Sequence, residues 1–319
     1  MSTAFVFPGQ GSQSPGMGAA LAEAFPDARE VFEEVDDALS QKLSSLMFEG
    51  PEDELNLTEN TQPALMSVSM AVMRVLNKQG GIDPAHVCAF MAGHSLGEYS
   101  ALTAAGSFDV AEAAKLLKIR GQAMQKAVPV GVGAMAAILG LDLGDVQDIA
   151  GEASDKAGAE FICDSANDNS VGQVVVSGHK EAVAIAVDLA TEKGAKKAVT
   201  LPVSAPFHCA LMAPAAVRMA DALADADIRP PVVPIVANVT AKQTSDPAEI
   251  RTLLVDQVTG MVRWRESVMY MKEQGVERMV EIGSGKVLCG LVRRIDKEIE
   301  TTNAGTPEDI ETLIEKLKG

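Results

Sequence analysis

Short apolar runs that end in turn residues alternate with longer amphipathic segments along the chain. Ala4 to Phe7 is one such run and ends at Pro8, and Val87 to Ala92 is another, ending in a turn of glycine and serine. Apolar runs of this length, bounded by turn residues, are typical of buried strands. A helix is predicted after the second turn, from about Leu96 to Ala105.

The segment between Pro63 and Gln79 carries apolar residues at helical spacing. Pro63 suits the first turn of the predicted helix, and Gly80 suits its C-cap. Further alternating elements are predicted later in the chain: a strand at Val232–Asn238, a helix before Trp264, a strand at Arg278–Ile282 and a helix from about Val287. Strands that alternate with helices are typical of a mainly parallel sheet covered on both faces.

A different pattern occupies roughly residues 130 to 201. Its predicted elements are strands at 134–141, 159–165, 173–177 and 196–201 and helices at 142–156 and 180–193. The order β-α-β-β-α-β is the ferredoxin-like signature. We therefore predict an α/β protein in which a ferredoxin-like small subdomain, residues 129–201, is inserted into a discontinuous large subdomain, residues 1–128 and 202–319.

Composition and charge narrow the classes of function. The chain has 319 residues, 47% of them hydrophobic and 4% aromatic, which is typical of a globular protein with an aliphatic core. A formal charge of −17 argues against nucleic acid as a partner. No two of the four cysteines form a C-x-x-C pair, so the sequence indicates neither a zinc site nor a disulfide framework.

The N-terminal segment STAFVFPGQGSQ lacks the positive charge and the long apolar stretch of a secretory signal. No apolar run approaches the roughly 18 residues that a membrane helix needs. We expect a cytoplasmic protein with no membrane partner.

The turn from Gly93 to Gly97 has the pattern G-x-S-x-G, with Ser95 at its centre. Between a strand and a helix this pattern is typical of a nucleophile elbow, in which the glycines permit a tight turn that exposes the serine oxygen. The pattern alone is weakly specific, and a helix N-cap serine or a simple glycine turn are the alternatives.

A serine nucleophile needs a base, which is most often histidine. His208 lies in an irregular loop that precedes a helix, where catalytic residues are common, and we favour it. His94 adjoins the serine and would point across the turn. His86 and His179 lie at predicted element ends, where solvated histidines are common.

An acyl-transfer site also needs backbone N–H groups aimed at the developing oxyanion. At an elbow, the residue after the nucleophile supplies one of them, here Leu96. The Pro8–Gly11 loop is the candidate for the second, and a plain glycine turn is the alternative interpretation of that loop.

Taken together, these residues resemble the malonyl-CoA:acyl carrier protein transacylase family, which also occurs as acyltransferase domains of fatty acid and polyketide synthases. The resemblance spans nearly the whole chain. The matching motifs are FVFPGQGSQ at 5–13, LTENTQPAL at 57–65, AGHSLGEYSAL at 92–102, RGQAMQ at 120–125, GQVVVSG at 172–178, LPVSAPFHCALM at 201–212 and VEIGSGKVLCGL at 280–291. Several motifs in the right order are far more specific than the serine turn alone.

The resemblance implies a hydrolase-like large subdomain that carries a ferredoxin-like small one, and it implies a role for each matched position. Ser95 is expected to be the nucleophile and His208 the base, with the amides of Gln10 and Leu96 forming the oxyanion hole. Arg120 is expected to bind the free malonyl carboxylate, for which a guanidinium offers a planar fork. Without the resemblance, an exposed helical arginine would be the better interpretation.

The resemblance also implies that the backbone carbonyl of Gln257 orients His208, in place of an aspartate. Gln62 and Asn167 match pocket positions, although a glutamine at a helix entry and an asparagine in a turn explain them almost as well. Phe207 precedes the histidine where a bulky residue is associated with a preference for malonyl over methylmalonyl groups.

The expected reaction is ping-pong transfer of malonyl from malonyl-CoA to the phosphopantetheine thiol of acyl carrier protein, with no cofactor bound to the enzyme itself. Because such carriers are acidic and this chain is acidic too, a local basic patch is expected to receive the carrier. Lys196 and Lys197 are candidates, and an ordinary solvated strand end is the equal alternative.

Three other functions are less well supported. An esterase or thioesterase shares the elbow but has no use for an arginine that binds a carboxylate. A nucleotide-binding protein is suggested only by GSGK at 283–286, which is not a complete phosphate-binding loop. A carrier-binding module without catalysis leaves the nucleophile, the base and the arginine unexplained.

Overall fold

The structure is a computed structural model that describes residues 1–203 and 205–318. Ser204, which belongs to the motif at 201–212, and Gly319, the last residue of the predicted large subdomain, lie outside the described residues. The strands are β1 Thr3–Phe7, β2 Phe90–Gly93, β3 Gly133–Leu139, β4 Cys163–Ser170, β5 Gln173–His179, β6 Lys197–Thr200, β7 Ile235–Val236, β8 Gln243–Thr244, β9 Arg278–Ile282 and β10 Glu300–Ala304.

Helices fill most of the connections between these strands; β4–β5 and β7–β8 are joined without one. They are α1 Ala19–Ala24, α2 Pro26–Leu39, α3 Leu43–Glu49, α4 Glu52–Leu55, α5 Thr58–Lys78, α6 Pro84–Val87, α7 Gly97–Ala104, α8 Val110–Ala127, α9 Leu143–Ala157, α10 Lys180–Glu192, α11 Ala213–Ala224, α12 Pro247–Thr259, α13 Trp264–Glu273, α14 Val287–Ile295 and α15 Pro307–Lys318, with a 3₁₀ turn at Ala210–Met212. Among the described residues, no helix combines the length and the apolar character needed to cross a bilayer.

The larger sheet has the strand order β10-β9-β1-β2-β7-β8, with parallel pairing from β10 to β7 and an antiparallel edge strand β8. Side chains of β1 alternate between its two faces, as strand geometry requires. Phe5 and Phe7 join the core beneath α5 and α8, whereas Ala4 and Val6 pack into a second core with Trp264 of α13. Helices therefore cover both faces, and the predicted α/β class is confirmed.

The smaller sheet is antiparallel and has the order β4-β5-β3-β6. Helices α9 and α10 pack on this sheet around Ile138, Val146 and Val176, in a core of their own. The chain order β3-α9-β4-β5-α10-β6 confirms the predicted ferredoxin-like pattern.

Strand β4 connects the smaller sheet to the segment around the start of α13. The amide of Asp168 donates to the carbonyl of Val262, and the amide of Val262 donates to the carbonyl of Ala166. The carboxylate of Asp168, 1% exposed, also pairs with Arg265 at 2.8 Å. These bonds hold the polar residues of β4 against the start of α13.

Some predicted boundaries are wrong. Helix α5 begins at Thr58, so Pro63 lies in its second turn and not in its first. The polar residues Thr58 to Gln62 are nearly all buried by other elements, which their sequence does not reveal. Strand β4 begins at Cys163 and extends to Ser170, because buried partners satisfy a run of polar residues that shows no alternation with apolar ones.

The second apolar run is also shorter as a strand than predicted. Asp83 accepts a hydrogen bond from the amide of Ala85, with Pro84 at the first helical position, so a helical turn occupies Pro84–Val87 and β2 begins only at Phe90. Strand β7 covers Ile235–Val236 alone, directly after Pro234.

Candidate active site

The turn after β2 holds Ser95 in a left-handed conformation, with φ of 54°. A Cβ atom on Gly93 would lie 1.9 Å from the backbone of Gly97, and a Cβ atom on Gly97 would lie 2.3 Å from the carbonyl oxygen of Phe7. Both glycines are therefore required by close backbone approach, and the strained residue between them is one that can react.

Ser95 and His208 lie in hydrogen-bond contact although 113 positions separate them in the sequence. Their Oγ and Nε2 atoms are 2.7 Å apart. His208 follows the irregular segment after β6 and has a positive φ of 57° as well. Positive φ at a non-glycine residue is uncommon, and here it occurs at both partners of this contact.

The ring of His208 is oriented by backbone carbonyls. Its Nδ1 atom lies 2.9 Å from the carbonyl oxygen of Gln257 and 3.2 Å from that of Gly260. Because a carbonyl oxygen only accepts, Nδ1 carries the proton and Nε2 is left to accept from the hydroxyl of Ser95. Burial, with help from the charge of Arg120, lowers the pKa of His208 to about 3, so the ring is neutral at physiological pH.

Arg120 extends from α8 into the site and is 1% exposed. Its Nη1 donates to Oε1 of Gln62 at 2.8 Å, and its Nη2 donates to Oε1 of Gln257 at 2.9 Å and to Oγ of Ser95 at 3.2 Å. The guanidinium carbon lies 5.8 Å from the centre of the Tyr99 ring. Burial lowers the pKa of Arg120, but a guanidinium remains charged in proteins.

The predicted oxyanion donors, the amides of Gln10 and Leu96, lie at the same edge of the larger sheet, beyond the carboxyl ends of β1 and β2. Phe7 and Gly93 are directly paired at the ends of β1 and β2, so the loop with Gln10 and the turn with Leu96 leave the sheet side by side. Within the described part of the chain, neither backbone amide has a hydrogen-bond partner. The side chain of Gln10 points elsewhere, since its Oε1 accepts from the hydroxyl of Thr58.

These groups surround a cavity of about 180 Å³. Gln62, Asn167 and Phe207, the other predicted pocket residues, line it as well. Its remaining wall is mostly apolar and comes from both subdomains: Met124, Met135, Val175, Leu201 and Val203. The cavity thus has a charged end at Arg120 and a mostly apolar wall.

Three polar residues beside the site were not found from the sequence. Asn238 accepts from the amide of Ser95 at 2.8 Å, and Glu98 accepts from Asn238 and Gln257. Oδ1 of Asn169 lies 2.8 Å from Nε2 of His94, which is partly buried. A signal for Glu98 exists, because it is the one charged residue of helix α7, and a carboxylate buried with that helix needs partners. No comparable signal marks Asn238 or Asn169.

Lys196 and Lys197 are exposed at the start of β6. The strand leads from them to Leu201, whose amide bonds to Met135 at the cavity. At about 3.3 Å per residue, this places Lys196 some 16 Å from the cavity wall along the strand. Their predicted role in carrier docking stays a prediction.

The GSGK turn does not resemble a phosphate-binding loop in its surroundings. The side chain of Glu281 accepts from the amides of Leu288 and Cys289, in the first turn of α14. A carboxylate of the chain itself therefore occupies the helix end that an anion would need. In the described residues, no group of three or more His, Cys, Asp or Glu is arranged to hold a metal ion.

Comparison of the sequence with known proteins identifies one family. The family model described as acyl transferase domain matches residues 4–317. The chain is 44% identical to the malonyl CoA-acyl carrier protein transacylase of Bacillus subtilis (strain 168) over 315 residues, which are 99% of this chain and 97% of the relative.

Solved structures agree with this comparison. An acyl-carrier-protein-S-malonyltransferase from Bartonella henselae is 55% identical, with a TM-score of 0.97 and 100% of each chain covered. A malonyl-transacylase in complex with its type II PKS acyl-carrier protein is 44% identical, with a TM-score of 0.94, and the match covers 99% of this chain and 100% of that one.

Proposed function

The chain belongs to the acyl transferase family, among its malonyl-CoA:acyl carrier protein transacylases, and from this premise we propose that it transfers malonyl by a ping-pong mechanism through an ester on Ser95. One observation carries the proposal. The hydroxyl oxygen of Ser95 lies 2.7 Å from Nε2 of His208 and 3.2 Å from Nη2 of Arg120. A nucleophile, its base and a carboxylate anchor thus meet at a single oxygen atom.

In the first half-reaction, Oγ of Ser95 attacks the thioester carbonyl of malonyl-CoA as its proton passes to Nε2 of His208. The carbonyl oxygen becomes an oxyanion that accepts from the amides of Gln10 and Leu96. The carbon–sulfur bond then breaks, and His208 returns the proton to the sulfur of CoA. The products are free CoA and a malonyl ester of Ser95.

Arg120 selects the acyl group. A malonyl carboxylate can take the place that the hydroxyl of Ser95 occupies on Nη2, while Gln62 and Gln257 continue to hold the guanidinium. The pairing is strong because the guanidinium of Arg120 is buried. Phe207 closes the apolar wall and limits the space for a branched acyl group.

In the second half-reaction, the phosphopantetheine thiol of acyl carrier protein enters. His208 accepts the proton of the thiol, the sulfur attacks the ester carbonyl, and the serine oxygen leaves and recovers the proton. The carrier itself brings the phosphopantetheine group, so the enzyme needs no cofactor of its own for these steps. Lys196 and Lys197 are the proposed contact for the acidic carrier.

Isotope exchange tests the ping-pong order. The enzyme is mixed with malonyl-CoA and labelled CoA in the absence of any carrier protein, and label in malonyl-CoA is measured over time. A covalent malonyl enzyme predicts rapid exchange in the native chain and none in Ser95→Ala. Efficient transfer to the carrier without any exchange would contradict the covalent intermediate and favour direct transfer in a ternary complex.

A further inference from the structure

Gln257 contacts every reactive group of the site. Its backbone carbonyl accepts from Nδ1 of His208, its Oε1 accepts from Arg120, and its Nε2 donates to the backbone carbonyl of Ser95 at 2.9 Å. The residue is fully buried. A single side-chain amide therefore joins the nucleophile turn to the guanidinium.

Glu98 is the charged group that holds the amide of Gln257 in this orientation, together with the carbonyl of Ser95 and the guanidinium of Arg120. Nε2 of Gln257 also donates to Oε2 of Glu98 at 2.8 Å. If the amide were rotated by half a turn, its oxygen would face the carboxylate of Glu98 and its NH₂ would face the guanidinium of Arg120. Both contacts would then be unfavourable, since Oε2 of Glu98 already accepts from the amide of Asn238 and a guanidinium has no lone pair to offer.

Glu98 is itself held in place by the backbone beside the site. The amide of Asn238 donates to the same Oε2 atom at 3.0 Å. The side chain of Asn238 donates to the carbonyl of Gly93 at 2.7 Å and accepts from the amide of Ser95 at 2.8 Å. Glu98 is 3% exposed and Asn238 is 1% exposed. Water is therefore not available to replace these bonds.

We propose that Glu98 is a positioning residue which, through the side-chain amide of Gln257, aims Arg120 at the acyl pocket and so sets the preference for a carboxylate-bearing acyl group. The inference rests on the proposed function of Arg120 as carboxylate anchor. Gln62 fixes one arm of the guanidinium, and Gln257 fixes the arm that lies against Ser95. Without Glu98, the side-chain amide of Gln257 loses one of the close acceptors that hold it in position against this arm.

A competition reaction tests this role. Each protein is mixed with equal malonyl-CoA and acetyl-CoA, quenched before saturation, and the ratio of malonyl to acetyl adduct is read by intact mass. Both adducts form on the same molecules, so the ratio does not depend on the fraction of protein that is folded. A native chain that forms no adduct at all would overturn the proposed function itself, and not only the role of Glu98.

The variants are Glu98→Leu and Gln257→Leu, both of which keep the backbone carbonyl that His208 needs. Each removes one of the two side chains, Glu98 or Gln257, through whose hydrogen bonds Arg120 is positioned. The malonyl-to-acetyl ratio is expected to fall about tenfold in each, as for the loss of a hydrogen bond to a charged group. If Glu98→Leu does not fold, Gln257→Leu still decides whether the amide aims Arg120.

Two controls separate positioning from general damage. Glu98→Gln keeps an oxygen that can accept from Asn238 and Gln257, so its ratio is expected within about threefold of the native value. Glu281→Leu removes another buried glutamate that accepts two backbone amides far from Arg120, and it is expected to lower stability without changing the ratio. An unchanged ratio in both Glu98→Leu and Gln257→Leu, or a loss in Glu98→Gln as large as in Glu98→Leu, would overturn the proposal.

Discussion

Two turns of the larger sheet are alike in sequence and differ in what surrounds them. The serine turn at residues 93–97 and the GSGK turn at 283–286 both follow a buried parallel strand, contain two glycines and lead into a helix. In the GSGK turn the positive φ angles fall on Gly283 and Gly285, which adopt them without strain. In the serine turn the positive φ falls on Ser95, the residue that can react.

The two turns also differ in the hydrogen-bond donors to the buried glutamate beside each of them. Glu281, on strand β9, accepts from two amides of helix α14, which directly follows its turn, so its bonds serve the local structure. Glu98 accepts from Asn238 and Gln257, about 140 and 159 positions away, so its bonds join distant segments at the site. A reactive turn is thus distinguished by where strain falls and by which polar groups converge on it.

The largest expected effect compares the two turn serines. Ser95→Ala removes the nucleophile and is expected to lower malonyl transfer by at least about 10⁴-fold. Ser284→Ala removes only a hydrogen bond from the hydroxyl to the carbonyl of Ser12, and its transfer rate is expected within about threefold of the native value. Steady-state transfer to acyl carrier protein measures both. Comparable losses in the two variants would break the distinction between the turns.

A second pair of variants compares the glycines. In Gly97→Ala the new Cβ would lie 2.3 Å from a backbone oxygen of Phe7, and the free energy of unfolding is expected to fall by about 3 kcal/mol or more. In Gly285→Ala the atom nearest to the new Cβ lies 3.5 Å away, so there is no steric clash. Only the left-handed backbone conformation is unfavourable for alanine, and the expected loss in the free energy of unfolding is about 1–2 kcal/mol. Urea unfolding gives both values. A larger loss for Gly285→Ala would show that close packing does not shape the serine turn.

The third prediction concerns Glu98 and pH. Burial raises the pKa of Glu98 from 4.5 to about 7, against opposing hydrogen bonds from Asn238 and Gln257 and the charge of Arg120. Between these pH values the native state binds the proton and the unfolded state does not, so this group lowers the free energy of unfolding as pH rises. At about 1.4 kcal/mol per pH unit, the full difference is about 3 kcal/mol.

Glu98→Gln does not titrate. Its stability relative to the native chain is therefore expected to rise by about 2–3 kcal/mol between pH 5 and pH 8, with the gain complete above pH 7. Protonation of His208, whose pKa is lowered, acts in the opposite direction but is common to both proteins and cancels in the difference. Urea unfolding at the two pH values provides the measurement. A difference that does not change with pH would mean that Glu98 carries the same charge in both states.

The smallest expected effect concerns Lys196 and Lys197, which lie far from both turns. Replacing both lysines with glutamate is expected to lower the rate of transfer from the malonyl enzyme to acyl carrier protein by a few fold, because exposed charges contribute up to about 1 kcal/mol each. Loading from malonyl-CoA is expected to be unchanged. The two half-reactions are measured separately by rapid quench, and equal loss in both would refute the docking role.

Much of the fold could be predicted because the spacing of apolar residues along the sequence directly reflects which side chains are buried. Strand β9 occupies Arg278–Ile282 as predicted, and the alternation of strands and helices predicted both the parallel sheet and the inserted antiparallel one. Strand β4 was misplaced because Asp168 and Asn169 are buried with partners on other segments, and polar residues of that kind leave no period in the sequence.

The site residues that could be predicted from the sequence are likewise those that stand in local motifs. The serine turn, His208 and Arg120 stand in local motifs, and the structure brings both His208 and Arg120 within hydrogen-bond reach of the hydroxyl of Ser95. Asn238 stands in no such motif, and its contact with the amide of Ser95 depends on the path of a strand that begins after Pro234. Which hydrogen-bond partner a residue finds so far away in the sequence depends on tertiary packing, and the residue types alone do not reveal it.

The central claim is that the hydroxyl of Ser95 carries the malonyl group. The most direct measurement is mass spectrometry of peptides from the native chain after mixing with malonyl-CoA and acid quench. We expect one malonyl group, located on Ser95, which disappears when acyl carrier protein is added before the quench. A malonyl group on any other residue, or continued transfer to the carrier with Ser95 unmodified, would contradict the account.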